Sequence, residues 1–464
     1  MRGATGLVTG TGNPSAAINL VRKRADSKAF TGSVTGQAGS WDRRQGTLDV
    51  SGALNERGSV RGRVVGSYLE EDSFVDLAAN EKSVLFGTLG IDLTDSTLLN
   101  LGASYQSNDP TASMWGGLPV WFSDGSRTDW SRSKTTAADW AEWASEQTSY
   151  YANVEHRFDS GTKLYAAYSR SINEGDLRLV FLSGAPDRVT GQGLSASPTW
   201  YDVKREQDNL DLYATTPFEF GGQAHEVTVG LMHSKQTLVT DNRPPLSRPA
   251  TGNYYQWDGS YQQPEWGPST TYTTQDTEQL GAYAVARLRL ADPLQLILGS
   301  RISNWDTSGM KWDKSRYEFE HDKELTPYAG LIYDINDQYS AYVSYSEIFN
   351  PQDYQDSNGD YLDPLEGQNY EAGLKAEYFG GRLNAALALF RIEQDNLAQP
   401  DAGQTVPGGI GQAYYPAQGT TSNGYEIELS GALSDNWNLL VGWAQFSAKR
   451  AGPPTCSAPI GSTA

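Results

Sequence analysis

The sequence contains little of what disulfide frameworks, metal centres and helical membrane proteins need. It has one cysteine and four histidines in 464 residues, which excludes a disulfide framework and a cysteine-based metal site, and the histidines lack metal-ligand spacing. It has no apolar run of about 18 residues, which excludes a membrane-spanning helix. Acidic residues outnumber basic ones by 56 to 36, giving a formal net charge of −20. This balance disfavours nucleic acid as a partner, because phosphate binding depends on Lys and Arg.

Alternation of apolar and polar residues is the dominant pattern that the sequence does contain. In residues 370–378 the even positions are Tyr, Ala, Leu, Ala and Tyr, whereas the odd positions are Glu, Gly, Lys and Glu. Residues 425–433 begin with the same alternation. A period of two residues is typical of β-strands with one polar and one apolar face. We predict about 17 such strands, most of about 11–15 residues, whereas strands of soluble proteins usually have about 5–6.

The predicted connections alternate between tight turns and long loops. Tight turns include residues 94–95, 380–381 and 434–435. Long strands with short turns at one end and long loops at the other are typical of outer-membrane β-barrels. A soluble two-sheet sandwich also alternates and stays as an alternative. The long loops are residues 71–80, 108–145, 174–199, 238–275, 306–315, 349–366 and 395–419.

Several stretches resemble TonB-dependent siderophore receptors. The segment RGATGLVTGTGNPSAAINLVRKR (residues 2–24) is similar to the end of their plug domain. LDPLEGQNYEAGLKAEYFGGRLNAALALFRIEQDNLAQ (362–399) is similar to a loop–strand–turn–strand unit of their barrel. YSEIFNPQ (345–352) and NGYEIELSGALSDNWNLLVGW (423–443) resemble the preceding strand end and the next hairpin. GGLPVWFSDGSRTDW (116–130) resembles the third extracellular loop of the branch that takes ferric hydroxamates and pyoverdines.

The resemblance implies an all-β fold, a transmembrane antiparallel β-barrel of about 22 strands, of which about 17 are present. The C-terminal end of a plug domain would precede the barrel. We assign residues 1–27 to the plug end, 28–450 to an incomplete barrel and 451–464 to a loop start or irregular tail. The sequence shows no signal peptide and no TonB box, and an odd strand number cannot close an antiparallel barrel. We therefore expect a chain truncated at both ends.

The same resemblance implies a receptor for ferric siderophore uptake in the outer membrane of a Gram-negative bacterium. Its expected partners are the ferric siderophore, outer-membrane lipid and, in the full-length protein, the TonB–ExbB–ExbD complex that supplies energy. We expect no catalytic residues, no metal site and no cofactor, because iron enters only within the transported ligand. A passive porin-like barrel and a soluble β-rich binding protein are the alternatives, although a simple porin has no use for the Gly-rich residues 1–24.

Aromatic residues of two long loops are the predicted siderophore-binding residues. Trp and Tyr offer apolar area and a hydrogen-bonding group at low entropic cost, which suits a compact polar ligand. The alternative is that they pack the loops on themselves. The predicted residues are Trp115, Trp121, Phe122, Trp130, Trp140 and Trp143 in loop 108–145, and Tyr254, Tyr255, Trp257 and Trp266 in loop 238–275.

A small basic cluster stands out in this acidic chain. We predict that it pairs with carboxylates inside a polar lumen and so joins the plug to the barrel, with solvated periplasmic charge as the alternative. The predicted cluster is Arg2, Arg22, Lys23 and Arg24, and its predicted barrel partners are Glu371, Glu377, Glu426 and Glu428.

Overall fold

The computed structural model describes residues 6–12, 20–408, 411–417 and 419–450. Besides a one-turn helix α1 (Gly6–Thr9) and a 3-10 turn at Tyr254–Gln256, the regular structure in these ranges is β-strand. No helix among them is long and apolar enough to cross a membrane. The strands are β1 (Thr31–Ala38), β2 (Arg44–Ala53), β3 (Val60–Asp72), β4 (Ala79–Thr94), β5 (Thr97–Thr111), β6 (Glu142–Arg157), β7 (Lys163–Ser183), β8 (Ser195–Phe220), β9 (Gln223–Arg243), β10 (Thr270–Ala291), β11 (Leu294–Met310), β12 (Arg316–Asp334), β13 (Tyr339–Asn350), β14 (Leu365–Tyr378), β15 (Leu383–Asp395), β16 (Leu397–Thr405), β17 (Gln412–Ala417), β18 (Thr420–Ser434) and β19 (Trp437–Arg450).

Seventeen of these strands form one sheet in which each strand pairs antiparallel with the next. The order follows the chain from β1 to β15 and continues with β18 and β19. This up-and-down meander confirms the predicted all-β antiparallel barrel wall and its 17 strands. The predicted tail at 451–464 lies outside the described residues, and the division between plug and barrel near residue 27 stays a prediction.

The structure differs from the prediction in the long connections. Strands β7, β8 and β9 contain 21, 26 and 21 residues, so the predicted loop 174–199 shrinks to 184–194. Over residues 174–179 charged side chains alternate with Gly175, Leu177 and Leu179, and the ion pair Arg178–Glu142 at 3.2 Å crosses the paired strands there. The predicted loop 395–419 also contains a separate hairpin, β16–β17. Backbone pairing continues beyond the apolar band because charged side chains also fit a solvated strand.

The strands separate an apolar outer face from a polar inner face, the lumen face. On β14, Tyr370 and Leu374 are 43% and 42% exposed and point outward, as their alternation with Glu predicts. On the lumen face of β5 and β6, Asn100 donates to Asn153 at 2.9 Å. Side chains that hydrogen-bond across strands make the lumen wall polar, whereas the outer face suits lipid.

The two faces should respond differently to a new charge. Leu374 lies midway between Tyr370 and Tyr378 on the outer face of β14, so Leu374→Arg should lower the free energy of unfolding by about 2–4 kcal/mol in lipid vesicles. Denaturant titration measures this loss. The control is Ser344→Arg on the lumen face of β13, directly across from Glu371, which should change stability by less than about 1 kcal/mol. Equal losses at both positions would contradict the assignment of the faces.

Candidate functional site

Three loops at the long-loop end of the barrel fold against one another. They are residues 112–141 between β5 and β6, 184–194 between β7 and β8, and 244–269 between β9 and β10. Together with the adjoining ends of β7 and β8 they enclose a buried apolar cluster, which we call the loop core. Its buried members are Ala112, Ala137, Ala138, Ala141, Val180, Leu182, Leu194, Ala196, Tyr254 and Tyr261. These loops therefore form a packed unit with its own interior.

Tyr254 lies at the centre of the loop core. It is 1% exposed, and its hydroxyl donates to the Thr135 carbonyl at 3.1 Å. The Trp130 ring meets it edge-on with centroids 5.1 Å apart, and the Lys134 ammonium lies 4.8 Å from its ring centroid. Burial raises the pKa of Tyr254 and lowers the pKa of Lys134. Tyr254 thus joins loop 112–141 to loop 244–269.

Two tryptophans add hydrogen bonds between the same loops. Trp140 Nε1 donates to the Tyr261 carbonyl at 2.7 Å, and Trp257 Nε1 donates to the Ala137 carbonyl at 2.9 Å. Both indoles are partly buried against the loop core. Each of these bonds satisfies a polar atom within an apolar environment, so it fixes the loops more firmly than apolar packing alone.

The ten predicted siderophore-binding residues divide into packed and exposed groups. Four of them belong to the loop core or pack directly on it: Trp130, Trp140, Tyr254 and Trp257. Trp115, Phe122 and Trp266 are half-buried against other aromatic rings. Trp121, Trp143 and Tyr255 are exposed by 56%, 42% and 43%. The exposed and half-buried residues are the ones that present surface to a ligand in this arrangement.

Aromatic residues also occupy lumen-facing positions of β6 and β7, on the side of β7 opposite to the loop-core residues Val180 and Leu182. On β6, Tyr150 points outward and is 52% exposed, so alternation along an unshifted register turns Trp143 inward. The same argument from outward Tyr168 turns Phe181 of β7 inward. The Trp115 ring contacts Phe181 edge-on, with centroids 6.1 Å apart.

Two tyrosines extend this surface onto β8 and β10. The rings of Tyr201 and Tyr272 lie 5.4 Å apart, and Tyr201 occupies an inward position because outward Leu210 lies an odd number of residues away. We name Trp115, Trp143, Phe181, Tyr201 and Tyr272 the inner aromatic face. Sequence analysis missed Phe181 because the predicted loop 174–199 contains it, and it missed Tyr201 because that residue lies outside the two aromatic loops considered for binding. The signal that could have found Phe181 is the odd–even parity of β7, continued past residue 173.

Residues 20–29 lie against the lumen face of the first strands. Lys23 Nζ pairs with Asp49 of β2 at 2.7 Å, and Arg24 Nη2 pairs with Glu155 of β6 at 2.7 Å. The Arg22 guanidinium lies 4.7 Å from the Tyr151 ring centroid. Electrostatic contacts therefore connect this segment with the wall.

The predicted glutamate partners occupy other strands. Lys23 and Arg24 pair with acidic residues of β2 and β6, whereas Glu371 and Glu377 lie on β14 and Glu426 and Glu428 on β18. Glu371 accepts a hydrogen bond from the Tyr342 hydroxyl. The fourth predicted basic residue, Arg2, lies outside the described residues.

Comparisons with known proteins agree with this arrangement. A family model described as "TonB dependent receptor-like, beta-barrel" matches residues 176–462. The chain is 38% identical over 457 residues to the ferripyoverdine receptor of Pseudomonas aeruginosa, covering 96% of this chain and 54% of that protein. It is also 38% identical to the ferric-pyoverdine BN7/BN8 receptor of Pseudomonas putida, covering 96% of this chain and 55% of that protein.

A solved structure of a pyoverdine receptor has the same fold as this chain. The crystal structure of the outer-membrane ferripyoverdine receptor of Pseudomonas aeruginosa bound to ferripyoverdine superposes with a TM-score of 0.92 at 37% identity. The superposition covers 97% of this chain and 60% of that one. The chain spans about half the length of the curated relatives it matches.

The loop core should depend on Tyr254. Tyr254→Ala removes a buried ring and the hydrogen bond to Thr135, and should destabilise the loop unit by about 3–5 kcal/mol. Limited proteolysis should then cut within residues 112–141 and 244–269 far faster than in the parent chain. The neighbouring Tyr255→Ala is the control, because that ring is 43% exposed and lies outside the loop core. Equal cleavage rates in both variants would show that the loops do not rely on this core.

Proposed function

We propose that this chain, which belongs to the family of TonB-dependent receptors, forms the wall and outer mouth of a receptor for a ferric siderophore of the pyoverdine class. It resides in the outer membrane of a Gram-negative bacterium. The observation that carries the proposal is the 38% identity to two pyoverdine receptors over 96% of this chain, loops included. Loops of such receptors carry the ligand contacts, because the strands only position them.

The inner aromatic face supports ligand capture. Its Trp and Phe rings offer apolar area, and Tyr201 and Tyr272 add hydroxyl groups at one edge. Such a surface binds a compact, polar ligand with an aromatic part through stacking and hydrogen bonds together. The loop core holds loop 112–141 in place before the ligand arrives, so little ordering entropy is lost on binding. Trp121 and Tyr255, which are exposed on the loops, are further contact candidates.

Uptake then requires passage through the polar lumen that residues 6–12 and 20–29 partly occupy. We propose that the TonB–ExbB–ExbD complex supplies the energy for this passage in the full-length protein. No bond is made or broken in the ligand, so the proposal includes no enzymatic activity and no resident cofactor. Iron is cargo, bound by the siderophore and not by the chain. Outer-membrane lipid contacts the outer face, and no nucleic acid takes part.

The two alternative functions fit the described residues less well. A passive pore needs an open lumen, whereas residues 20–29 are tied to β2 and β6 by ion pairs. A soluble binding protein would not carry an outer face of exposed Leu, Val and Tyr side chains along successive strands.

Removing the inner aromatic face should weaken ligand binding. Trp143→Ala combined with Phe181→Ala should lower the affinity for ferric pyoverdine by about tenfold to a hundredfold, as loss of aromatic anchor residues does. Quenching of tryptophan fluorescence, with the full chain in detergent, measures the affinity.

The matched control is Trp443→Ala. Trp443 is 60% exposed and points outward, since it pairs with outward Ile427 on β18, so its removal should leave the affinity unchanged. An unchanged affinity in the double variant would place the ligand elsewhere. Failure of the parent chain to bind any ferric pyoverdine would contradict the proposed ligand class.

A further inference from the structure

Two buried hydrogen-bond donors on the lumen wall have no acceptor among the described residues. Arg301 of β11 is 1% exposed, and Gln279 of the neighbouring strand β10 is 6% exposed. Neither Arg301 Nη1 nor Gln279 Nε2 has a hydrogen-bond partner there. A buried donor without an acceptor destabilises the fold by the full free energy of its dehydration, and this free energy is larger for a charged donor.

The other contacts of the Arg301 guanidinium are weak. Its Nε donates to Ser303 Oγ at 2.9 Å, and its Nη2 reaches only the Met232 sulfur at 3.8 Å. Asp211 and Tyr283 lie close enough to interact with it electrostatically. No carboxylate within the described ranges comes within ion-pair distance of it. The positive charge is thus buried with little compensation.

Arg61 shows how the same wall treats another buried arginine. It is 6% exposed, but its guanidinium binds both carboxylate oxygens of Asp92 at 2.5 and 2.6 Å. It also donates to the carbonyls of Gly58 at 2.8 Å and Ala25 at 3.1 Å. Full pairing of this kind is what makes a buried charge tolerable. The difference indicates that the free donors of Arg301 serve an acceptor that is not part of the wall.

The turn at Gly10 covers these donors. Gly10 has a φ of +79°, and a Cβ at this position would overlap Gln279 Nε2 and lie 3.0 Å from Arg301 Nη2. On the wall side, a Cβ at Gly281 would overlap Arg301 Nη2. The absence of a Cβ at Gly10 and Gly281 therefore leaves a slot between the turn and the wall, and the Arg301 guanidinium fills it. Only glycine adopts the φ of the covering turn without strain.

Within the described residues the covering segment is short, and one backbone hydrogen bond joins it to the wall. Residues 6–12 connect with the wall through one parallel bridge between Thr11 and Phe349, with Gly12 N donating to the Phe349 carbonyl at 3.1 Å. Leu7 packs near Gly299 on β11. A displacement of this short segment would expose both free donors to the lumen.

We propose that Arg301 and Gln279 form an anion-binding site on the lumen wall, which the Gly10 turn covers and which opens when residues 6–12 move. The site takes anionic oxygen groups such as carboxylates, because a guanidinium and an amide nitrogen donate side by side to such oxygens. Its role in uptake rests on the proposed function. The anionic oxygens of a ferric siderophore would meet this site after leaving the outer mouth.

Opening the slot by substitution tests the site without a siderophore. Gly10→Leu cannot keep the turn in place, so the full chain in detergent should bind citrate at least tenfold more tightly than the parent chain by isothermal titration calorimetry. Adding Arg301→Gln should abolish this gain, and adding Gln279→Leu should reduce it several-fold. Gly87→Leu is the matched control, because a Cβ there meets open space, and it should change nothing.

Two results would overturn the proposal. One is a gain in citrate affinity that survives Arg301→Gln, and the other is no gain in a Gly10→Leu chain whose circular dichroism and heat-modifiable gel mobility match the parent. If Gly10→Leu does not fold, Gly10→Ala gives a smaller displacement at the same strained φ and carries the same expectation. Because the probe is citrate, failure of ferric pyoverdine to bind at the mouth would leave this result intact, and the two proposals fail separately.

Discussion

Backbone hydrogen bonding between consecutive antiparallel strands is the constraint on which this structure depends. A wall that stands in hydrocarbon must pair its peptide groups within itself, because no water is there to replace a missing partner. From β6 to β9 the register runs without a shift through the whole length of each pair. An unshifted register fixes the parity of every side chain, so the position of one outward tyrosine determines which residues face the lumen many positions away.

The same pairing explains why the outer mouth is ordered. Strands β7 to β9 continue beyond the apolar band as paired backbone with ion pairs across their outer side. Strand β7 thereby brings Val180 and Leu182 into the loop core, to which Tyr254 also belongs. The loops thus gain an apolar interior anchored on rigid strands, which is how a surface made of loops can present a preformed aromatic site.

The lumen wall uses charge in two ways. Arg61 is fully paired with Asp92 and also bonds to the chain segment at Ala25, so it fixes residues 20–29 in place. Arg301 keeps a free donor beneath Gly10. Since the two side chains are of one type and similarly buried, the difference comes from their neighbours. A paired charge stabilises a fixed contact, whereas an unpaired one stays available to an arriving acceptor.

Much of the fold could be predicted from the sequence, and less of the site. Alternation and the sorting of short and long connections determined the strand number, the meander and the two faces, because side-chain direction in a strand follows from sequence parity alone. The β16–β17 hairpin was not predicted, nor were the acidic partners of Lys23 and Arg24, since both depend on contacts between distant residues.

The aromatic residues show most clearly what the sequence could not predict. Trp130 and Trp143 belong to the same predicted loop, yet one packs in the loop core and the other faces the lumen. Composition marks both as suitable for binding, but only the packing of three loops and the register of β6 decided which one is packed and which one is exposed toward the lumen.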